Sequence, residues 1–372
     1  MKQTVAFIRT TSIYDDSRAT KEILALYEAG FQVVVLGWNR NGQARERTAQ
    51  LFRQPEITCD FFDVPLPSGI GMRNMDKLLR WFLWTRKKLG QIRNLAGVHA
   101  CNLDGALGVA RFCERRGIPL IYDIYDYYSD SHSIPKQLLG MVEGTEDRIA
   151  TRCAATIICT EERREQIQNA RPKRVEVIHN SPDVEQAEQA ELLYDYAYCG
   201  SLCERRLVRE IVEGYAQHRE LRFAFAGNDI YQREVEASAA SYPDFHFFGT
   251  IPYQRVLEIE KQSRVLSAIY EPTVRNHRLC APNKFYEALA LGKPLIVCRG
   301  TGIDRVVEQY HLGKVIDYDA GAFYQALTEL LSQPEACAQM GERGRALYEE
   351  RYRWSIMRQR LVKLYRECFS GT

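Results

Sequence analysis

The stretch "CAPNKFYEALALGKPLIV", residues 280–297, predicts a loop, a helix and a buried strand in succession. Its middle is helix-forming, Gly292 suits a helix C-terminal cap, and Pro282 falls where the first helical turn tolerates proline. The free N–H groups of this helix would point towards the loop that holds Asn283 and Lys284. Because a helix N-terminus carries about half a positive elementary charge, the stretch predicts a site for phosphate or another anion.

Apolar strands alternate with amphipathic helices on both sides of the middle of the chain. The strands of the first half include "TVAFIR", "FQVVVLGW", "GVHACN", "IPLIYDIYD" and "ATIICT", and those of the second half include "YDYAYCGS", "LRFAFAG", "FHFFG", "SRVLSAIY" and "GKVIDYD". Strands separated by helices of this length imply parallel crossovers, so we predict an α/β protein with two doubly wound sheets and a cleft between them. The expected domains are 1–183 and 184–350, and a C-terminal helix at 351–372 is expected to pack back towards the first domain.

Composition narrows the function classes. The 372 residues exceed the size at which one core keeps growing, and 50 basic against 48 acidic residues leave no overall excess of charge for binding nucleic acid. Eleven scattered cysteines without a Cys-x-x-Cys pair indicate reduced thiols. Without a secretory signal or an apolar run of about 18 residues, a cytoplasmic protein is expected.

Two common nucleotide-binding motifs are missing from the sequence. No G-x-G-x-x-G follows a strand, which disfavours a nicotinamide dehydrogenase, and no G-x-x-x-x-G-K-[ST] occurs, which disfavours a P-loop NTPase. The lysine of "LGKP", Lys293, comes after the helix and so too late to cradle a phosphate.

An ordered series of segments carries a family resemblance. "CGSLCERR", "FAFAGN", "FFGTIP" and "APNKFYEALALGKPLIV" resemble the donor half of a GT-B fold glycosyltransferase, most of all glycosyltransferase family 4. In the first half, "SRATKEILALYEAGFQVVVLGW", "VHACNLDGALG", "PLIYDIYDYYSD" and "VIHNSPD" resemble the bacterial surface-polysaccharide members of that group. The match covers nearly the whole chain.

The resemblance implies two Rossmann-like domains that face each other across a cleft. A nucleotide sugar, with a UDP-sugar favoured on family frequency, would bind the second domain, and a glycan or lipid-linked glycan acceptor would bind the first. Transfer would retain the anomeric configuration and need no metal or other cofactor. Helix N-termini and fixed cations can stabilise the leaving diphosphate without Mg²⁺.

Donor-site roles follow from the same resemblance. Glu287 matches a glutamate that holds the ribose hydroxyls, Lys284 and Arg206 would contact the diphosphate, and both Glu287 and Lys284 are expected at an exposed helix mouth. Together with Asp126 these are the predicted catalytic residues. Gly200 would let the backbone approach the phosphates, and the other predicted donor-binding residues are Ser201, Arg205, His277, Cys280, Ala281, Pro282 and Asn283.

The sequence departs from the family pattern at two positions. Ser201 stands where an arginine often contacts the phosphates, and Leu279 stands where the family has the first of two paired glutamates. The contact to the donor sugar must then come from elsewhere, with His277 or the backbone of Cys280 and Ala281 as candidates. The donor sugar, and to a lesser degree retention, are therefore left open.

Predicted acceptor-binding residues follow three strands of the first half. Asp126 is the nearest polar candidate to the reacting sugar, because a tyrosine occupies the place where relatives often have a histidine. Loop capping by Asp126 is an equally acceptable interpretation. The predicted acceptor set is Ser12, Tyr14 and Arg18 after the first strand, Asn102 and Asp104 after another, and Tyr125.

A basic amphipathic segment occupies residues 73–93. It holds seven basic residues against one Asp, it includes Trp81 and Trp84, and one helical face is apolar: Met75, Leu78, Leu79, Phe82 and Leu89. This composition resembles a helix that lies on anionic lipid, which would make the protein peripheral to the inner face of the cytoplasmic membrane and its acceptor lipid-linked. An ordinary helix with a basic solvent face is the alternative.

Two other functions fit the same fold. A sugar-nucleotide epimerase is the enzymatic alternative, and an inactive sugar-nucleotide-binding regulator is the alternative without catalysis. Nucleoside diphosphate released only in the presence of an acceptor would separate the transferase from both.

Overall fold

A computed structural model describes residues 2–14, 16–66, 74–132, 134–184 and 190–369. The chain divides into two compact units, the first formed by Met1–His179 with Met357–Thr372 and the second by Asn180–Ile356. Each unit is an α/β sandwich around one parallel sheet, which confirms the predicted fold class.

The sheet of the first unit has seven parallel strands in the order β3-β2-β1-β4-β5-β6-β7. All residues of β1 and β5 are buried, as expected for strands covered on both faces by helices. The strands are β1 (Thr4–Arg9), β2 (Gln32–Trp38), β3 (Ile57–Phe62), β4 (Leu95–Cys101), β5 (Leu120–Ile124), β6 (Ala155–Ile158) and β7 (Val175–Val177).

Helices cover both faces of this sheet. They are α1 (Ser17–Glu28), α2 (Ala44–Ala49), α3 (Met75–Gln91), α4 (Asn102–Ala106), α5 (Ala110–Arg116), α6 (Tyr128–Ser131) and α7 (Lys136–Arg152), followed by a 3₁₀ turn at Glu161–Ile167. The carboxylate of Asp16 caps α1 by accepting from the Ala19 N–H at 3.0 Å. This bond satisfies one of the free donors at the helix start.

Helix α3 buries part of the face that its sequence predicts to lie on lipid, while Met75 and Leu79 of that face are exposed. Trp81 is 0% exposed and stacks between Trp38 and Trp84, with ring centroids 5.5 and 5.4 Å apart. Leu78 and Leu89 are buried as well, so these side chains belong to the core and the predicted lipid-facing set is wrong for them. Arg73 lies outside the described residues.

The sheet of the second unit has six parallel strands in the order β10-β9-β8-β11-β12-β13. They are β8 (Tyr194–Cys199), β9 (Phe223–Ala226), β10 (Phe245–Phe247), β11 (Ser263–Ala268), β12 (Leu295–Cys298) and β13 (Gly313–Ile316). The helices are α8 (Val208–Gly214), α9 (Gln232–Ser241), α10 (Tyr253–Lys261), α11 (Asn283–Leu291), α12 (Ile303–Tyr310), α13 (Ala320–Leu331) and α14 (Pro334–Leu347), with 3₁₀ turns at Tyr215–Gln217 and Arg275–Leu279 and a π turn at Tyr348–Tyr352.

The last described helix, α15 (Trp354–Phe369), carries the chain from the second unit back into the first. Tyr365 lies against His99 of β4, with its hydroxyl 3.1 Å from Nδ1. Phe369 lies so close to Gly97 that a Cβ added there would come within 2.1 Å of the ring. The end of the chain thus completes the core of the first unit.

Each sheet reverses its strand order once, at β1 and β4 in the first unit and at β8 and β11 in the second. At such a point the loops that follow the two central strands run in opposite directions and leave a crevice at the carboxyl edge of the sheet. These two edges are where ligand sites are expected.

Candidate functional site

The loops after β8 and β9 form one tightly packed layer at the carboxyl edge of the second sheet. Gly200 donates to the Ala226 carbonyl at 2.8 Å, and Leu202 donates to the Asn228 carbonyl at 2.8 Å. A Cβ added to Gly227 would lie 1.8 Å from the Gly200 oxygen, so only glycine fits there. Positive φ angles at Gly200, Arg205, Leu207, Gly227 and Asp229 concentrate unusual backbone geometry in these loops, a pattern common at ligand sites.

Lys284 projects from the start of α11 over this layer. Its Nζ lies 4.7 Å from the centroid of the Tyr198 ring, and a Cβ added to Gly200 would come within 2.3 Å of Nζ. Burial disfavours the charged form of Lys284. Interactions with Tyr198, Tyr270 and Glu287 favour it more strongly, so the pKa of Lys284 is raised. The ammonium is therefore charged at neutral pH and held beside the Gly200 backbone.

Arg206 supplies a second cation at the same edge. Its guanidinium stacks over the Tyr270 ring, which follows β11, at 4.9 Å from the centroid. Its charge lowers the pKa of Lys284, as expected for two neighbouring cations. Among the residues that the structure describes, neither Lys284 nor Arg206 has an ion-pair partner, and no side chain caps the N-terminus of α11. This arrangement is suited to a di-anion such as a diphosphate.

Glu287 is buried instead of lying at an exposed helix mouth. It is 3% exposed, one turn into α11, and its Oε1 accepts from the Tyr253 hydroxyl at 2.8 Å. Glu260, on the same helix as Tyr253, is also buried, and burial together with the charge of Glu287 raises the pKa of Glu260 well above its usual range. The expectation of exposure failed because α10 covers this side of α11.

His277 and Cys280 lie in the segment that leads into α11. The His277 Nδ1 lies 3.1 Å from the Glu271 carbonyl, and since a carbonyl only accepts, Nδ1 carries the proton and Nε2 of the neutral ring is an acceptor. Burial lowers the pKa of His277, which favours this neutral form. Cys280 donates its thiol to the Thr301 carbonyl at 3.4 Å, which ties this segment to the loop after β12.

The remaining predicted donor residues lie around this centre. Ser201 donates to Asp229, Arg205 is exposed and lies 3.8 Å from Glu271, and Asn283 accepts from Asn180. Pro282 is the N-cap of α11, and Ala281 directly precedes it. The second unit thus brings all of these positions to one edge of the sheet.

The predicted acceptor residues lie at the corresponding edge of the first unit. Asn102 accepts from the backbone N–H of Tyr125 at 2.9 Å and of Asp126 at 3.3 Å, and so joins the loops after β4 and β5. Asp104 accepts from the Thr10 hydroxyl, and its Oδ1 is buried without a hydrogen-bond partner in the described structure. An acceptor hydroxyl could satisfy that oxygen.

The other members of this set are held by their neighbours. Asp126 forms an ion pair with Arg163 at 3.4 Å and stays half exposed. The Tyr14 hydroxyl accepts from Asn41 at 2.8 Å, and Ser12 is half-buried in the loop after β1. These positions can reach a ligand, but none of them is oriented as strictly as Lys284.

Arg18 differs most from its predicted role. It is the second residue of α1, 4% exposed, and it contacts Glu22 at 2.8 Å and Asp123 at 2.9 Å. It also donates to the Ile178 carbonyl at 3.0 Å. With these partners its guanidinium neutralises buried carboxylates, so in this structure it is not exposed to an acceptor.

A buried polar network surrounds Arg18. Burial and the charge of Asp123 raise the pKa of Glu22 to about 7, although Tyr125 donates to Glu22 at 2.6 Å. Burial lowers the pKa of His99 to about 4, and its Nε2 lies 3.3 Å from Asp123. Sequence reasoning missed most of this network, although a histidine inside the apolar strand "GVHACN" was a visible signal.

Only one group of side chains in the described ranges has a spacing that suits a metal ion. Glu22, His99 and Cys101 have ligand atoms within 4.8 Å of one another. The Arg18 guanidinium already balances the charge of this group. The triplet "DYD" at 317–319 serves the fold, because Asp319 caps α13 by accepting from Ala322 at 2.8 Å.

Comparisons with known proteins agree with this fold. Sucrose-phosphate synthase from Thermosynechococcus elongatus has the same fold with a TM-score of 0.76 and 14% identity over 100% of both chains. WaaG, a glycosyltransferase involved in lipopolysaccharide biosynthesis, has a TM-score of 0.64 and 14% sequence identity over 99% of this chain and 100% of its own. A mutant of S. aureus TarM was solved in complex with fondaparinux, alpha-GlcNAc-glycerol and UDP. It has a TM-score of 0.70 and 10% sequence identity over 98% of this chain and 100% of its own.

These matches define the GT-B fold. Residues 196–333, which include the whole layer around Lys284, match the family model of glycosyl transferases group 1. The chain therefore has the GT-B fold, and its second half resembles the glycosyl transferases of group 1. No curated protein matches it in sequence.

Proposed function

We propose that the protein transfers a sugar from a UDP-sugar to a glycan or lipid-linked glycan in bacterial surface polysaccharide synthesis. The observation that carries this proposal is the pair of cations at one sheet edge, Lys284 at the start of α11 and Arg206 over the Tyr270 ring. TarM binds UDP in its solved complex, and WaaG acts in lipopolysaccharide biosynthesis, and these two relatives in fold support this choice of donor and pathway.

The proposed chemistry is the stabilisation of a leaving group. As the bond between the anomeric carbon and the diphosphate breaks, negative charge grows on the phosphate oxygens. Lys284, Arg206 and the first N–H groups of α11 would face that charge before the reaction begins, so little reorganisation would be needed. The neutral Nε2 of His277 would accept from a donor-sugar hydroxyl, and Asp126 would contact the acceptor. Leu279 cannot replace the missing carboxylate, and we propose retention of configuration on the resemblance alone.

Glu287 is proposed to hold the ribose, and this role can be tested separately from phosphate binding. We expect Glu287→Gln to weaken UDP binding about tenfold, because a neutral acceptor replaces a charged one at a loss of about 1–1.5 kcal/mol. Pyrophosphate binding, measured by calorimetry in parallel, should not change. Tyr253→Phe is the control, because it removes the bond to Glu287 but keeps the carboxylate. Equal weakening of both ligands would show that Glu287 acts through Lys284 and not on the ribose.

Metal independence is a second prediction. Transfer should continue at its full rate after EDTA treatment, because the charge expected to balance the diphosphate comes from Lys284, Arg206 and the helix end. Acceptor-dependent release of UDP is the measurement, with and without chelator. Loss of transfer in EDTA that Mn²⁺ restores would require a metal in the mechanism.

The same measurement separates the alternatives. A transferase releases UDP only with an acceptor, an epimerase interconverts two UDP-sugars without releasing UDP, and a binding protein does neither. A thermal-shift screen of nucleotides and UDP-sugars identifies the donor first, because a ligand that binds the native state raises the melting temperature.

We further propose that transfer occurs at the inner face of the cytoplasmic membrane. No helix in the parts of the chain that the structure describes is long and apolar enough to cross a bilayer. Arg80, Arg86 and Lys87 of α3 are exposed, and they support attachment at the surface. Lys88 contributes less, because it pairs with Asp60 at 2.9 Å.

A further inference from the structure

A large cavity opens at the amino edge of the sheet in the first unit, opposite to the edge of the predicted acceptor residues. Its volume is about 1480 Å³, and it is lined by the residues that lead into β5, β6 and β7 and by side chains of α3, α5 and α7. Pro119, Ala154 and Lys173 mark the three strand starts. We call this cavity the basic groove. None of the residues assigned above to donor or acceptor lines it.

Cations dominate the lining of the basic groove. Its two acidic residues, Glu114 and Glu367, already pair with Arg152 and Arg174. Within the described ranges, five other cations of the groove have no ion-pair partner: Arg86, Arg111, Arg115, Arg148 and Lys173. All five are exposed. A concave surface lined by charge of one sign focuses its field and attracts the opposite sign.

The helices that line the basic groove also expose apolar side chains. Met75, Leu79 and Leu83 of α3 are 57–58% exposed, and their spacing of four residues places them in one stripe. On α7, Leu138 is 38% and Met141 is 64% exposed. Isolated exposed apolar residues are ordinary, whereas a stripe on a helix that also lines a basic groove indicates an interaction surface.

The three helices lie side by side on one face of the sheet. They connect β3 to β4, β4 to β5 and β5 to β6, so right-handed crossovers place them on the same face. Arg86 of α3 donates to the Gly108 carbonyl before α5 at 2.5 Å, and Arg152 of α7 reaches Glu114 of α5 at 2.9 Å. Each helix runs from the carboxyl edge to the amino edge of the sheet. The exposed apolar residues thus lie towards one end of the face and the basic groove at the other.

We propose that the basic groove binds the phosphate-bearing headgroups of an anionic bilayer, while the exposed apolar residues of α3 and α7 contact its acyl region. A soluble polyanion would account for the cations but not for the apolar residues on the same helices. An anionic bilayer offers both chemistries on one continuous surface. This inference extends the membrane part of the proposed function and adds α5, α7 and the starts of three strands to the contact. It does not depend on the donor site.

The test is binding of the full chain to vesicles that contain about one third anionic phospholipid, with neutral vesicles as the reference. The variant Arg148→Gln with Lys173→Gln should bind the anionic vesicles roughly 30-fold more weakly, from about fivefold for each basic residue near such a surface. The control variant is Arg53→Gln with Arg233→Gln, which removes the same charge at exposed positions outside the groove. Its vesicle binding should match that of the parent.

Two further arms identify the source of the phosphate. Leu79→Asn with Leu83→Asn should weaken binding to vesicles but leave the binding of inorganic polyphosphate unchanged. The inference is overturned if the groove variant binds vesicles as the parent does, or if it loses polyphosphate binding alone, which would indicate a soluble ligand. The UDP-induced rise in melting temperature, measured on the same samples, tests the donor site separately from the lipid surface.

Discussion

Replacing Lys284 by alanine is expected to lower kcat/KM for sugar transfer by about 10²–10³, the usual effect of removing one preorganised group that stabilises transition-state charge. The ammonium lies beside the Gly200 backbone and over the Tyr198 ring, so it is positioned before the substrate arrives. Binding of UDP in the ground state should weaken less, by roughly 1.5–3 kcal/mol for a lost charged hydrogen bond. Initial rates of UDP release measure the change in kcat/KM, and calorimetry measures the change in UDP binding.

The opposite end of the same helix provides the control. Lys293 is also a half-buried lysine, and burial lowers its pKa to about 8, so most of it is still charged at pH 7. It follows the C-terminal cap of α11 and lies away from the predicted phosphate site. Lys293→Ala should transfer sugar at the parent rate. If both variants lost activity equally, α11 as a whole would be the cause and the phosphate site would lie elsewhere.

Arg18→Met is expected to destabilise the first unit by about 3–5 kcal/mol, because it leaves Glu22 and Asp123 buried without their counter-ion. For a unit of this size, that loss corresponds to a fall in melting temperature of roughly 10 °C. Differential scanning calorimetry measures the fall. The transition that UDP stabilises should stay in place, since the second unit does not contain this network.

Two variants test the cause of that loss. Adding Glu22→Gln and Asp123→Asn to Arg18→Met removes the unpaired charges and should recover much of the lost stability. Arg53→Met, at an exposed position, should melt like the parent. An Arg18→Met protein with an unchanged melting temperature and weaker acceptor binding would instead return Arg18 to the acceptor site, as its sequence position first indicated.

The periodic features of the sequence were sufficient to predict the fold. "TVAFIR" is the strand Thr4–Arg9, and the helix Asn283–Leu291 ends at a left-handed Gly292 as its sequence predicts. Two strands, β3 and β7, were missed, because Thr58 and Asp60 interrupt the apolar residues of "ITCDFF" and "VEV" has only three residues. Both are edge strands of the first sheet. Edge strands are less buried than central strands, so they need fewer apolar residues.

Side-chain roles were harder to predict because they depend on packing between distant segments. Lys284 and Arg206 follow from local sequence, but the burial of Glu287 depends on Tyr253 of another helix. Arg18 pairs with Asp123, more than a hundred positions away, and no local pattern records such a pair. Trp81 and Trp84 illustrate the same limit, because either side of an amphipathic aromatic helix can face the core.

The return of α15 to the first unit has a consequence for synthesis on the ribosome. Residues 180–356, which form the second unit, emerge before the segment that supplies Tyr365 and Phe369 to the first unit. The nascent first unit must therefore wait, with His99 and Gly97 uncovered, until the second has been made. Synthesis of α15, rather than completion of the first 179 residues, sets the earliest moment at which the first unit can close its core.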